Sequence, residues 1–600
     1  MSVQASRGGV LTAMLLACTA LQAQGPEGDA SWCGRAECED PPAEIRRQPG
    51  QPVEDPKDRE ADPDAVPRLP YERADPSVPV PDRWRIMDSL GLTNEGRGER
   101  WYDPYNVNTY KADKPIHDDW FLSLNLISDT VLEPRSVPTP VGPQSAGDPG
   151  SLDVLGGNDQ TIFSQTALLG AVYYKGKTVF KPPDYEYRLT LALNYNHVDS
   201  DETRFLLIDP SRGTSRNDHF VGIQELFADK HLRNVPKSLG RYDFDSIRVG
   251  IQPFNADFRG FLFIDQPFGV RLFGNRNNNF WQYNLAWFRR LEKDTNSGLN
   301  DITESLRDDD IIVANLYRQD WPVLGFTSQA TVLYNRNRET DFFFDNNGFL
   351  ARPLSQGQER PREYDVTYIG LNGDGHFGRL NVSASAYLAL GDEERGVFSG
   401  QDSDIQAGFF AAEFGVDFDW IRTRFSLLWA SGDDDPFDDD SGGFDAVLEN
   451  PIIAGAATSY WIRQNVPLVG GGGVALSTRN GVLASLTSSR EHGQSNFTNP
   501  GIRLVGLGAD VDLTPETRLS GNINALWFDD TAVLEVARQQ AKIDKDIGLD
   551  VSVAAFWRPL ATQNIVLTAS VAALIPGDGF EALYGDDVQY SVLANLILTY

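Results

Sequence analysis

From Trp120 to Tyr600 the chain keeps one texture: short runs in which apolar and polar side chains alternate. In YEYRLTLALNYN (Tyr185–Asn196), Tyr185, Tyr187, Leu189, Leu191, Leu193 and Tyr195 share one face, while Glu186, Arg188, Thr190, Ala192, Asn194 and Asn196 share the other. A period of two predicts a strand with one apolar and one polar face. LNVSASAYLAL (Leu380–Leu390) and LSGNINALW (Leu519–Trp527) repeat it. Eighteen such runs are predicted, near 118–129, 161–175, 185–199, 219–232, 244–254, 267–275, 280–293, 309–320, 324–338, 362–374, 376–391, 403–418, 420–431, 501–513, 517–529, 544–558, 562–574 and 586–600.

The links sort by parity. Those after even-numbered runs are mostly tight, as in TPET and RPLAT; those after odd-numbered runs are long, reaching 432–500. A soluble sandwich has no reason to sort its loops, whereas an outer-membrane barrel has short periplasmic turns and long external loops. Trp281, Trp321, Trp420 and Trp557 all fall at predicted short turns, where indoles form an interfacial girdle. The fold expected over 118–600 is therefore all-β, a transmembrane antiparallel β-barrel of about eighteen strands in contact with outer-membrane lipid. Closure pairs the last strand with the first, so that no edge stays open.

Composition is compatible with this. No run of about 18 apolar residues is present, so no transmembrane helix is available, but a barrel spans with strands. The net charge of −32 excludes nucleic acid as a natural partner, because phosphate binding needs Lys and Arg in excess. Before the barrel, residues 1–23 read as a signal peptide cleaved near Ala23, with lipidation of Cys18 as the alternative. Residues 24–82 are a Pro-rich acidic linker, predicted to be disordered, in which Cys33 and Cys38 are spaced for a local staple. Residues 83–117 are predicted to form a periplasmic arm or plug.

Function in a wide barrel lies on lumen-facing side chains. Alternation turns Arg188, Arg248, Arg422 and Arg424 inward, together with Asn194, Gln252, Asn284 and Asn524. Arginine on the lipid face costs about 2–4 kcal/mol at mid-membrane. Several arginines in a pore favour anions, unless lumen acids such as Glu186 pair with them. The seventh long loop opens with SGDDDPFDDDSGGFD (Ser431–Asp445). There Asp433, Asp434, Asp435, Asp438, Asp439 and Asp440 are candidate Ca²⁺ ligands within 432–445, or a solvated acidic tip. The rest of that loop, Asn450–Leu486, is too apolar to remain in water. It is predicted to fold into the lumen as a constriction or to form a partner surface. The six histidines show no HExxH and no GxSxG neighbour, so no enzyme and no cofactor are expected.

Several stretches, IRVGIQPF (Ile247–Phe254), Asn499–Phe528, IGLDVSVAAFWRP (Ile547–Pro559) and ALIPGDGFEALYG (Ala573–Gly585), resemble porins of the alginate-export type. That resemblance implies an eighteen-stranded barrel passing an acidic polysaccharide. Alternating Leu596, Leu598 and Tyr600 also resemble the signal read by the barrel-assembly machinery, with Tyr600 where Phe is usual. The expectation is an outer-membrane channel passing anionic or polar solutes passively. The alternative is a scaffold barrel that sheathes a periplasmic multihaem cytochrome.

Overall fold

The computed structural model describes residues 109–139, 158–176, 178, 182–235, 243–468, 479–487, 489–559 and 562–600. The predicted signal peptide and linker, with Cys18, Cys33 and Cys38, and most of the predicted arm lie outside them. The strands are β1 (Trp120–Ser136), β2 (Asp159–Lys175), β3 (Tyr185–Ser200), β4 (Ser215–Val235), β5 (Asp243–Ile251), β6 (Phe268–Arg276), β7 (Trp281–Arg289), β8 (Asp309–Arg318) and β9 (Phe326–Asn337). They continue as β10 (Glu363–Phe377), β11 (Leu380–Glu394), β12 (Ser403–Phe418), β13 (Ile421–Ala430), β14 (Ile502–Thr514), β15 (Thr517–Trp527), β16 (Asp546–Trp557), β17 (Ile565–Pro576) and β18 (Gln589–Thr599). Each pairs antiparallel with its sequence neighbours, and β18 pairs with β1, Ile127 opposite Thr599 and Arg135 opposite Ser591. The sheet is a closed barrel of eighteen strands.

The closure has an addition. Where β18 runs out, Tyr600 and Leu126 exchange backbone hydrogen bonds. Beyond them, the Leu124 amide donates to the Tyr110 carbonyl (2.7 Å), and the Ala112 amide donates to the Leu122 carbonyl (2.9 Å). Residues 110–112 thus cover the stretch of β1 that β18 does not reach, and Lys111 Nζ sits 3.9 Å from the centre of the Tyr600 ring.

The outer wall carries apolar side chains, and the inner face is mixed: polar residues share it with a buried apolar cluster, Phe288, Ile311, Tyr368 and Leu504 among its wall members, on which L3 (252–267) and the loop 431–501 pack. Leu193, Val221, Ile369, Leu507, Ile523, Val553, Val571 and Val592 are exposed, while Asn196, Asn335, Asn524, Asp550 and Ser552 are buried. Period-two alternation puts the first set outside and the second inside. An apolar exterior around buried asparagines, aspartates and serines suits a lipid solvent. Trp281, Trp321, Trp420 and Trp557 are all exposed at the short-turn end. Replacing Val571, 58% exposed on the outer wall, with Arg is expected to destabilise the barrel by about 2–4 kcal/mol, read by urea unfolding in vesicles.

Sequence and structure differ in strand length. β1 continues seven residues beyond its predicted end at 129, through Ser136. Its outward positions 128 and 130 are Ser and Thr, so the apolar half of the pattern lapses there although the ladder with β2 continues. The two-residue strand Asp440–Ser441 adds to the sheet, parallel to β12.

Candidate functional site: the lumen plug

The lumen is filled from within the chain. The seventh long loop, L7 (431–501), leaves β13 and returns to β14 through a narrow neck. There Gly501 takes φ +58°, and a Cβ on it would lie 2.4 Å from the Gly432 amide nitrogen. Any side chain at the neck would force the two legs apart. Past the neck, Phe444 packs on Phe409 and Tyr368 of the wall, at ring distances of 5.0 and 6.1 Å. Leu448 then forms a parallel bridge to Phe263. Phe263 belongs to L3 (252–267), which also folds inward: Phe261, Leu262 and Phe263 are fully buried. Asp257 holds the L3 turn, accepting from the amides of Arg259, Phe261 and Leu262 at 2.8–3.0 Å and from the Tyr387 hydroxyl at 3.0 Å.

L7 next forms a short helix, α1 (Tyr460–Gln464), docked on β1 and β16. Asp550 of β16 accepts from the amides of Tyr460 (3.1 Å) and Trp461 (3.2 Å) and from the Ser459 hydroxyl. A carboxylate so placed satisfies donors that the first helical turn leaves open. At the other end of α1, Glu133 of β1 accepts from Arg463 (3.0 Å) and Gln464 (2.8 Å). The loop has thereby crossed from the β10–β12 wall to the β16–β1 wall.

The return leg is held by arginines. Arg307 donates to the Glu491 and Gly493 carbonyls at 2.6 and 3.0 Å while forking onto Glu339 at 2.8 Å through each of Nε and Nη2. Arg352 donates to the His492 carbonyl (2.6 Å) and pairs with Glu292. Arg362 donates to the Ser495 carbonyl (3.3 Å) and pairs with Glu393 (2.8 Å). Arg290 donates to the Glu491 carbonyl (3.1 Å) and pairs with Asp309 (3.2 Å). All four are buried. Each guanidinium uses part of its fork on an acid and part on a loop carbonyl, which fixes orientation as well as charge. Burial pushes Glu292 up, but His492, Arg307 and Arg352 outweigh it and hold the carboxyl well below its ordinary range. Burial likewise opposes Arg307's charge, yet Glu339 raises it above the usual arginine value.

Sequence reasoning found none of these four. Arg307 and Arg352 lie in L4 (290–308) and L5 (338–362) outside every predicted run, whereas Arg290 and Arg362 fall at the ends of the runs predicted at 280–293 and 362–374, just beyond the observed strands. The only signal was acids close by, as in RRLEKD and SLRDDD.

The wall residues singled out from sequence are placed as follows. Arg188 pairs with Glu186 (2.9 Å) and lies 3.6 Å from Glu225. Arg248 pairs with Asp229 (2.9 Å), its guanidinium 4.1 Å from the centre of the Phe227 ring. Asn284 accepts from Arg271 (2.8 Å), a lumen arginine that the sequence reading did not name. These residues share one sector, on β3 to β7. Arg424, on β13, joins Asp510 and Asn522, both at 2.9 Å; Arg422, half-exposed near the adjoining turn, pairs with Asp417 (2.5 Å). Asn194 donates to Ser164 (3.1 Å) and Thr166 (2.8 Å), and Gln252 donates to the Gly269 carbonyl (3.1 Å) at the long-loop end of its strand. Asn524 donates to the Ala454 carbonyl of L7 (3.0 Å). Leu598 is exposed on the outer wall and Leu596 half-exposed.

The acidic run splits. Asp434, Asp435, Asp438, Asp439 and Asp440 are exposed, whereas Asp433 turns inward and accepts from the Gly442 amide at 2.9 Å. Among the described residues no group of three or more Asp, Glu, His or Cys is arranged to hold a metal. Burial, with the neighbouring acids adding, pushes the Asp433 carboxyl up to about 7. Burial does the same to Asp445, also to about 7, against the pull of Arg490.

No protein-family model and no curated protein matches the chain in sequence. Solved structures of similar form are OccK9 (OpdG) of Pseudomonas aeruginosa, at 14% identity and TM-score 0.43 over 80% of this chain and 98% of that one. A BenF-like porin from Pseudomonas fluorescens Pf-5 follows at 10% and 0.42, over 80% and 98%. OccAB4 of Acinetobacter baumannii follows at 9% and 0.40, over 81% and 99%. Similarity at this level assigns neither solute nor site residues.

Proposed function

We propose that this chain is an outer-membrane channel for passive passage of small polar or anionic solutes, and that L7 with L3 sets its resting constriction. The observation that carries the reading is a closed barrel with an apolar outer wall, whose lumen is filled by an inserted loop rather than by the wall's own side chains. Such a filling is separable from the wall, so the pore can open without unfolding the barrel. Anion preference has support in one sector, where Arg271 faces the lumen on a neutral partner, Asn284. Arg188, Arg248 and Arg424 already have acidic partners and contribute mainly to wall structure. An acidic polysaccharide, implied by the alginate-export resemblance, gains no support from the structures of similar form. A sheath for a cytochrome needs the lumen space that L7 and L3 occupy.

The test is single-channel recording in planar bilayers, with the full chain and with residues 432–500 deleted. The full chain is expected to conduct little and the deletion variant to open a large stable conductance. A folded deletion variant that carries no current would end the channel reading.

A further inference from the structure

The outer wall carries a groove of about 400 Å³ on β2 to β5, floored by Ala171 and Ala228 and flanked by Tyr173, Tyr187, Leu189 and Leu226. Its lining is almost wholly apolar, and its origin is local. β4 bulges once against β3, beside Thr190–Leu191, and again against β5, between His231 and Arg233. Two bulges bend and twist the stretch between them, and alanines on that stretch and on β2 leave the hollow unfilled.

Toward the short-turn end an aromatic and cationic rim bounds the groove. Trp120 stacks on Tyr173 at 4.6 Å between ring centres and lies 6.4 Å from Tyr187. In the same outward row, Lys175 Nζ lies 5.8 Å from the Trp120 ring and Lys230 Nζ 5.4 Å from the Tyr185 ring. Tyr185 stands between the two lysines in register. Among the described residues neither lysine pairs with an acid, in a chain whose net charge is −32. The order along the wall is apolar hollow, aromatic belt, then two cations.

We infer that this groove is a phospholipid site of the periplasmic leaflet, with an acyl chain in the Ala171–Ala228 hollow and the phosphate between Lys175 and Lys230. The inference rests on the membrane reading above. Hydrocarbon fills the apolar hollow, indole and phenol rings suit the ester and headgroup level, and the lysines supply charge for the phosphate, where they hold it as point charges.

The test is native mass spectrometry of the detergent-purified full chain, titrated with phosphatidylglycerol. Ala228→Trp fills the hollow and Lys175→Gln with Lys230→Gln removes the cations; Val571→Trp places the same indole on another part of the outer wall. Retained lipid is expected to fall about tenfold in the first two variants, as the loss of a defined site does, and to stay unchanged in Val571→Trp. Equal retention in all forms, or an equal fall in Val571→Trp, would overturn the site and leave only unspecific lipid. Insertion of the same preparations into vesicles separates the two readings. A wild-type chain that does not insert overturns the membrane reading, whereas insertion with variant-insensitive lipid overturns the groove alone.

Discussion

Arg307→Ala is expected to release the return leg of L7 and raise single-channel conductance without unfolding the barrel. The guanidinium is buried, forks onto Glu339 and holds the carbonyls of Glu491 and Gly493. Truncation leaves Glu339 buried with one cation fewer, the Gly493 carbonyl without its donor and the Glu491 carbonyl with Arg290 alone. Breaking a buried pair in this way costs about 3–5 kcal/mol. The wall ladders are untouched, so the cost falls on the plug. Limited proteolysis should cut within L7 faster in the variant, and circular dichroism should keep its strand signal. Arg422→Ala is the control. Its pair with Asp417 is half-exposed at the barrel mouth, where such pairs are worth under about 1 kcal/mol. Equal conductance in wild type and Arg307→Ala would show that the clamp does not hold the plug.

The plug should also loosen as pH rises through about 7. Asp433 and Asp445 have folded-state carboxyls raised to about 7, first of all by burial. For a raised acid, the stability that the folded loop enjoys is fully present below the ordinary carboxylate value. It is lost as pH climbs through the folded value, because ionisation then favours the open, hydrated loop. Each group can contribute at most about 4 kcal/mol, from three pKa units at 1.36 kcal/mol each. Conductance is therefore expected to be higher at pH 8.5 than at pH 5.5. The double variant Asp433→Asn with Asp445→Asn should flatten this profile at its low-pH level. A profile of the opposite slope would refute the assignment.

The barrel was legible in the sequence because lipid outside and water inside impose a period of two, and because loop length sorted by parity. Strand positions follow that rule to within a few residues wherever outward positions are apolar. They fail where the rule fails, as at Ser128 and Thr130 of β1. The inward-pointing Arg188, Arg248 and Arg424 were legible for the same reason. Their acidic partners were less so, because Asp229 and Asp510 sit on neighbouring strands whose register no single run reveals. Of the arginines that hold L7, Arg307 and Arg352 were invisible. Direction in an irregular loop is set by what it packs against, and Arg352 meets the His492 carbonyl only after both loops have folded into the lumen. The apolar run of Asn450–Leu486 did announce burial, and Tyr460, Ile462 and Val482 are fully enclosed.

The seam between the first and last strands bears on how such a wall can yield. Sideways escape into the bilayer would use the join where the ladder is shortest, and β18 alone reaches β1 only from Ile127 onward. Because residues 110–112 grip the remaining stretch and Lys111 leans on the closing tyrosine, the join is bolted by a segment that must peel off first. A cargo leaving laterally would thus need that latch undone, and a protein with the latch trimmed away should part along this line before any other.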